Sequence, residues 1–280
     1  MKKFLLIAVF STAIFISNAQ VQMPAPSSTQ TLIQDFGMGK IELTYSRPSL
    51  KNRKVFEANG ELVPLGEMWR TGANAATRVK FTDKVNIGGK DFDTGTYVLY
   101  TIPGEKDWTI IINKGINNWG TDGYKESEDV VRFTAPSYQV HAQPVETFTM
   151  EFGDIKPESC NLYLIWSNTA VVIPVTTKIQ DRLRTQIEQA LQSADKKPYW
   201  QAANFYYEWD KNYSKALENA NAALKERPDG FFIYMLKAKI EKAMNNNSAA
   251  KASAEKCKEL AMKQNNDDYV KQADKFLAEM

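Results

Sequence analysis

Between Tyr45 and Arg70 the chain carries Arg47, Lys51, Arg53, Lys54 and Arg70 against Glu57, Glu61 and Glu67. A guanidinium group presents a planar fork of N–H donors that matches a carboxylate, sulfate or phosphate group. If Arg47, Arg53 and Arg70 converge, the Asn74 amide and the flat Trp119 ring would complete a site for an anionic small molecule or a glycan. The opposing expectation is that these arginines pair with the interspersed glutamates and stack on tryptophans to pin a long loop. Trp69, Trp108 and Trp166 are expected in a core, whereas Trp119 stands in Asn117-Asn118-Trp119-Gly120-Thr121-Asp122-Gly123, an odd setting for a buried ring.

Other chemistry is poorly represented. His141, the single histidine, has no serine or cysteine signature beside it, so neither a Ser-His-Asp nor a Cys-His arrangement has support. A histidine-based zinc site would need further ligands. Gly37-x-Gly39 and Gly88-Gly89 lack the lysine and following helix of a phosphate loop. Asp35, Glu42, Glu57, Glu61, Asp93 and Asp122 would suffice for a two-carboxylate glycosidase, but no spacing singles out a pair. No catalytic residue, metal or cofactor is therefore assigned, and a non-enzymatic binding or scaffolding factor is expected, with a binder of an anionic small molecule or carbohydrate, or a carbohydrate-active enzyme, at the arginine site as the alternative.

The elements that must position these residues show two periodicities. Residues 31–175 alternate with a period of two, as in Ile41-x-Leu43-x-Tyr45 and Phe148-x-Met150-x-Phe152. Turn residues punctuate them, with Gly88-Gly89 as a tight hairpin and Pro103-Gly104 and Ser167-Asn168 as further turns. About nine short strands at such spacing predict an antiparallel sandwich or barrel. A β-sandwich or jelly-roll-like domain is expected over 31–175, after a loose leader over 20–30. Tyr163-Leu164-Ile165-Trp166 is apolar on both parities and predicts a strand covered on both faces.

Beyond Pro174 and Thr176-Thr177 the period becomes 3.6, so 176–280 is expected to be all-helical, an α+β organisation overall. Ile179, Leu183, Ile187 and Leu191 fall on one helix face.

The bulk numbers bound the partners. Lys2 and Lys3, the apolar run Phe4 to Ile16 and Ser17-Asn18-Ala19 read as a signal peptide over 1–19, with an apolar stretch well short of the roughly twenty residues that span a bilayer. A periplasmic or secreted protein without a membrane span is expected after cleavage. The chain has 35 Lys+Arg and 33 Asp+Glu, and removing Lys2 and Lys3 leaves the two signs equal. Zero formal charge gives no whole-molecule case for nucleic acid. Cys160 shares the parity of Leu162 and Leu164, and Cys257 lies among small helical residues, so two separately buried thiols are expected.

Several runs carry a family likeness. Tyr45-Ser46-Arg47-Pro48-Ser49, Leu62-Val63-Pro64-Leu65-Gly66, Trp69-Arg70-Thr71-Gly72-Ala73-Asn74, Gly95-Thr96-Tyr97, Thr101-Ile102-Pro103-Gly104 and Trp108-Thr109-Ile110 together resemble the domain of unknown function 2911. The resemblance implies an envelope protein with a β-rich domain and no assigned activity. Members commonly carry an acid after the Trp-Arg-Thr-Gly-Ala-Asn run, where Ala75 stands here.

In the second half, Trp200, Ala203, Tyr207, Ala216, Ala223 and Pro228 fall at tetratricopeptide spacings. A step of ~34 residues places Tyr234 under Trp200, Ala250 under Ala216, Ala254 under Ala220 and Cys257 under Ala223. A degenerate second repeat and a closing helix from Asp267 to Ala278 follow. The resemblance implies a concave groove of Gln201, Phe205, Glu208, Trp209, Phe232, Met235 and Lys239, with Phe205, Trp209, Phe232 and Met235 as its apolar part. It would take a peptide or envelope protein partner, or be covered by the Ile179–Leu191 helix or the β domain.

Overall fold

The computed structural model describes residues 23–140 and 143–280. The expected signal segment and His141 lie outside the described residues. The chain divides into two compact units, a β unit ending at Val175 and a helical unit that runs to Met280.

The β unit contains β1 (Ser28–Phe36), β2 (Gly39–Arg47), β3 (Thr77–Phe81), β4 (Val85–Ile87), β5 (Lys90–Phe92), β6 (Gly95–Ile102), β7 (Asp107–Asn113), β8 (Asp129–Gln139), β9 (Val145–Lys156), β10 (Ser159–Ser167) and β11 (Thr169–Thr176). They form one sheet in the order β1-β2-β3-β6-β7-β8-β11-β10-β9, and β4 joins β11 to β5. Gly88 and Gly89, with φ of 58° and 79°, make the expected two-residue hairpin between β4 and β5. β1 begins at Ser28, inside the segment expected as leader.

Residues just past β2 pair with β9, the far end of that order. Phe148 N donates to Pro48 O at 2.9 Å and Leu50 N to Glu146 O at 2.9 Å, around the antiparallel bridge Ser49–Thr147. The sheet therefore returns on itself as a near-barrel. Tyr45 reinforces the closure, its hydroxyl donating to Gln30 Oε1 at 2.9 Å and accepting from Met150 N at 2.8 Å.

Period-two patterning sets the interior. Ile41, Leu43 and Tyr45 of β2 face inward with Ile110 and Ile112 of β7 and Val171, Ile173 and Val175 of β11, all buried. The void among Ile41, Phe81, Leu99, Ile112 and Leu162 is ≈ 10 Å³, at the lower limit for a single water. This interior is packed. β10 departs from expectation: Cys160, Leu162, Leu164 and Trp166 are buried, but Tyr163 and Ile165 are only half-buried. Tyr163 lies against Gly153, where an added Cβ would come within 2.9 Å of its ring, and its hydroxyl donates to Asp154. The Tyr163 ring is thus covered in part by the backbone of β9.

The helical unit has six helices: α1 (Gln180–Ser193), α2 (Tyr199–Glu208), α3 (Tyr213–Glu226), α4 (Phe231–Ala243), α5 (Asn247–Lys263) and α6 (Asp267–Ala278). Asn212, Asn246 and Asn266 cap α3, α5 and α6 by accepting from Lys215 N, Ala249 N and Tyr269 N. The residue before each, Lys211, Asn245 and Asn265, is left-handed, so one turn geometry recurs. Ala203, Ala216, Ala220, Ala250, Ala254 and Cys257 are all 0% exposed, which is why small residues occupy the expected close contacts between helices.

α1 lies on this core through Leu183, Ile187 and Leu191. Arg184 holds it there with a bidentate pair to Asp210, Nε to Oδ2 at 2.8 Å and Nη2 to Oδ1 at 2.7 Å. Phe205 stands in the same core, 4% exposed. Phe205→Ala is therefore expected to destabilise the protein by about 3–5 kcal/mol in urea unfolding. A loss below about 1 kcal/mol would place the ring on an open surface.

Candidate functional site

The segment Trp69–Asn74 is held by both backbone and side chains. Trp69 N donates to Thr101 O at 2.7 Å, and Thr101 N returns to Trp69 O at 3.0 Å. The Trp69 indole is buried against Phe56, Trp108, Phe148 and Trp166, and its Nε1 donates to Gly72 O at 2.9 Å. The chain then bends sharply at Thr71, fully buried at a φ of 54°, a region β-branched residues avoid. Thr77 Oγ1 donates to Thr71 O at 2.6 Å, and the Thr71 and Thr101 hydroxyls bond at 3.1 Å. At Gly72 a Cβ would come within 2.9 Å of Ser46 O, so no larger residue fits without movement. Asn74, at φ 58°, closes the bend.

This bend aims Arg70 and Asn74. Among the described residues the Arg70 side chain makes a single hydrogen bond, Nη1 to Asn74 O at 2.7 Å, and its guanidinium lies over Gly120. A Cβ on Gly120 would sit 2.6 Å from Arg70 Cζ. Asn74 Nδ2 donates to Ser27 O at 3.2 Å and to Ser46 Oγ at 3.3 Å.

The loop bearing Trp119 is equally fixed. Buried Asn113 donates to Lys125 O at 3.0 Å and to Asp129 Oδ1 at 2.8 Å, and accepts from Gly115 N at 2.7 Å, tying the two ends together. Asn118 Nδ2 reaches the Tyr100 hydroxyl at 3.2 Å. Tyr124 donates to Asp129 Oδ2 at 2.8 Å; burial and that carboxylate push its hydroxyl up to about 12, so it stays a donor. On this braced loop Trp119 is 64% exposed, while Trp69, Trp108 and Trp166 are buried as expected.

Cavities lie on both sides of Asn74. The first, ≈ 220 Å³, is bordered by Trp119, Asn74, Arg78, Ser46, Thr44 and Thr29, with no acid in its lining. Thr29 and Ser46 hydroxyls bond at 3.0 Å, and Thr31 and Thr44 at 2.9 Å, a row of donors and acceptors on the sheet face. The second, ≈ 350 Å³, is bordered by Arg70, Asn74, Glu61, Leu62, Ala73 and Pro48.

The expected convergence of three arginines does not occur. Arg47 bonds Phe148 O at 3.1 Å and Thr149 Oγ1 at 2.7 Å, stitching β2 to β9. Arg53 turns back on Leu50 O and Ser49 O, both at 3.0 Å. Neither borders the cavities, whereas Arg70, Asn74 and Trp119 do. The expected glutamate partners are also missing: among the described residues, Arg47, Arg53 and Arg70 have no carboxylate within 4.0 Å, and Glu57 pairs with Lys54. Arg78 and the hydroxyl row escaped sequence reasoning. Their one signal was parity, which put Thr44, Ser46 and Arg78 on the sheet's outward face.

The expected helical groove is also redrawn. Phe205 and Met235 are buried, Met235 with Cys257 and Ala273, and Trp209 stacks on Phe205 beneath the cover that α1 provides. Phe232 and Gln201 instead border a cavity of ≈ 710 Å³ with Trp200, Lys196, Lys197 and Arg227. Of the acids considered for catalysis, Asp35, Glu42, Glu57 and Asp93 form ion pairs with lysines. Among the described residues no group of three or more His, Cys, Asp or Glu side chains could hold a metal, and no helix is long and apolar enough to cross a membrane. Cys160 and Cys257 are free and buried, and burial pushes both thiols up to about 11, which keeps them protonated and unreactive.

Gly120 and Gly66 provide a controlled comparison, because both have positive φ but nothing lies within 4 Å of a Cβ on Gly66. Gly66→Ala is expected to cost about 1–2 kcal/mol for backbone strain alone. Gly120→Ala should cost more, because Arg70 must also move. Equal costs in denaturant unfolding would mean that Arg70 does not brace the Trp119 loop.

The sequence matches the family described as Protein of unknown function (DUF2911) over residues 27–175. Neither a curated protein nor a solved structure gives a match. The matched span contains the whole near-barrel, the Trp69–Asn74 bend and both cavities beside it. The chain thus belongs to the DUF2911 family.

Proposed function

We propose that this is an exported, non-enzymatic binding protein whose β unit holds a small hydroxylated ring bearing an acidic group, such as a sugar acid. The observation that carries this reading is Trp119, 64% exposed on a loop braced by buried hydrogen bonds. A flat aromatic face held rigidly at the surface is a ready platform on which the C–H face of a sugar ring can stack. Beside it stand the Asn74 amide, the Thr and Ser hydroxyl row, and Arg78 with no carboxylate within 4.0 Å among the described residues. Aromatic face, hydrogen-bonding row and a single cation fit the C–H face, hydroxyls and acid of such a ring. The lysine-led segment expected to direct export supports an envelope setting.

The test is thermal unfolding with a panel of uronic and other sugar acids. A true ligand at a hundredfold excess over its dissociation constant should stabilise the fold by about 2.7 kcal/mol. Trp119→Ala should remove that shift while leaving the unliganded melting temperature nearly unchanged, and Arg78→Gln should erase the preference over the neutral sugar. A panel giving no shift overturns the reading.

A second reading concerns the helical unit. Its ≈ 710 Å³ cavity has the Trp200 and Phe232 rings edge to face at 4.8 Å, with Lys196, Lys197 and Arg227 outnumbering Asp195 and Glu226 at the border. The partner it fits is an extended peptide segment carrying an aromatic and an acidic side chain. Arg227→Glu is expected to weaken binding of such a peptide about tenfold or more, measured by fluorescence anisotropy. Unchanged affinity would remove this cavity from consideration.

A further inference from the structure

The two cavities beside the Trp69–Asn74 bend meet at Asn74, which borders both. We infer that they are successive subsites for one chain-like ligand, an acidic oligosaccharide of at least two rings that crosses over Asn74. This inference rests on the sugar-acid reading of the Trp119 cavity and extends it.

Three observations point to a second ring. Arg70 borders the ≈ 350 Å³ cavity, and among the described residues its side chain makes one hydrogen bond, which leaves guanidinium donors unspent. Glu61 adds a carboxylate acceptor to the same border, and Pro48, Leu62 and Ala73 supply the apolar surface that a sugar's C–H face requires. A guanidinium, a carboxylate and an apolar floor together suit a ring with both hydroxyls and an acid, and suit a bare inorganic anion poorly. The backbone strain at Thr71 and Asn74 is the third: both residues hold left-handed conformations in the segment that separates the subsites. Such strain persists where surrounding structure overdetermines it, and it sits at ligand-holding positions more often than elsewhere.

Energetics favour the same conclusion. One ring on one exposed indole is a weak interaction, because ordering and desolvation consume most of what stacking contributes. A second ring tethered to the first binds at high effective concentration and raises affinity without any new site architecture.

The experiment is calorimetric titration of the intact chain with mono-, di- and tetrasaccharides of galacturonate, glucuronate and mannuronate. In the series that binds, affinity is expected to rise about tenfold or more from one ring to two. Leu62→Trp and Ala73→Leu, each filling the second cavity, should abolish that gain and leave monosaccharide binding intact; two variants guard against one misfolding, which melting temperature reports. Equal affinity at every length overturns the two-subsite inference and leaves the sugar-acid reading standing. A length gain that survives both filled-cavity variants also overturns it, since the chain would then run elsewhere. Binding by no member of any series overturns the sugar-acid reading and the inference with it.

Discussion

The β unit depends on a backbone bend at Thr71 that is unfavourable by itself. A buried β-branched residue at positive φ costs on the order of 1–3 kcal/mol. What holds it is the pair of backbone hydrogen bonds exchanged by Trp69 and Thr101, the Thr77 hydroxyl on Thr71 O, and the Trp69 ring locked among four aromatics. Each buried bond contributes about 0.5–1.5 kcal/mol net, but breaking one costs more because its partner is left dry and unpaired. The bend is therefore stable as a set, and no single contact in it is dispensable. From this fixed point the chain throws Arg70 toward Gly120 and Asn74 toward Ser46, so the geometry of both cavities is inherited from a buried strain several residues away.

Arg70 has two roles that follow from one position. Its guanidinium lies on the Gly120 backbone and so braces the loop that presents Trp119. The same residue borders the neighbouring cavity, with one side-chain hydrogen bond among the described residues. A lysine could not do both, since an ammonium has neither the flat face nor the divergent donors. The cation that the sequence singled out thus stands between the Trp119 loop and the second cavity, and not as one third of a cluster.

What was legible follows from which interactions are local. Alternation at Ile41, Leu43 and Tyr45, the Gly88-Gly89 turn and the spacing of Ala216, Ala220 and Ala223 all report on periodicity, and the strands and helices lie where that periodicity puts them. Trp119 was legible as exposed because its Asn- and Gly-rich neighbours cannot build an apolar wall. Arg47 was not legible, since its partners, Phe148 and Thr149, stand about a hundred residues away and are a carbonyl and a hydroxyl, not carboxylates. Nor was the fate of Phe205 and Met235: spacing identifies an apolar face, but not whether Leu183, Ile187 and Leu191 of a preceding helix will cover it. Arg78 looked like any outward strand residue, and its importance appears only once Trp119 and Asn74 are seen beside it.

Ala75 brings these strands together. An acid after the Trp-Arg-Thr-Gly-Ala-Asn run would stand between Asn74 and Ala76, both of which border the Trp119 cavity together with Ala75 itself. A carboxylate there would place an opposite charge in the lining that Arg78 alone charges now. With alanine in place the lining of this cavity carries Arg78 and no acid. An acid-free lining is what the proposed anionic ligand requires, and on that reading the binding proposal and the departure from the resembled family pattern agree.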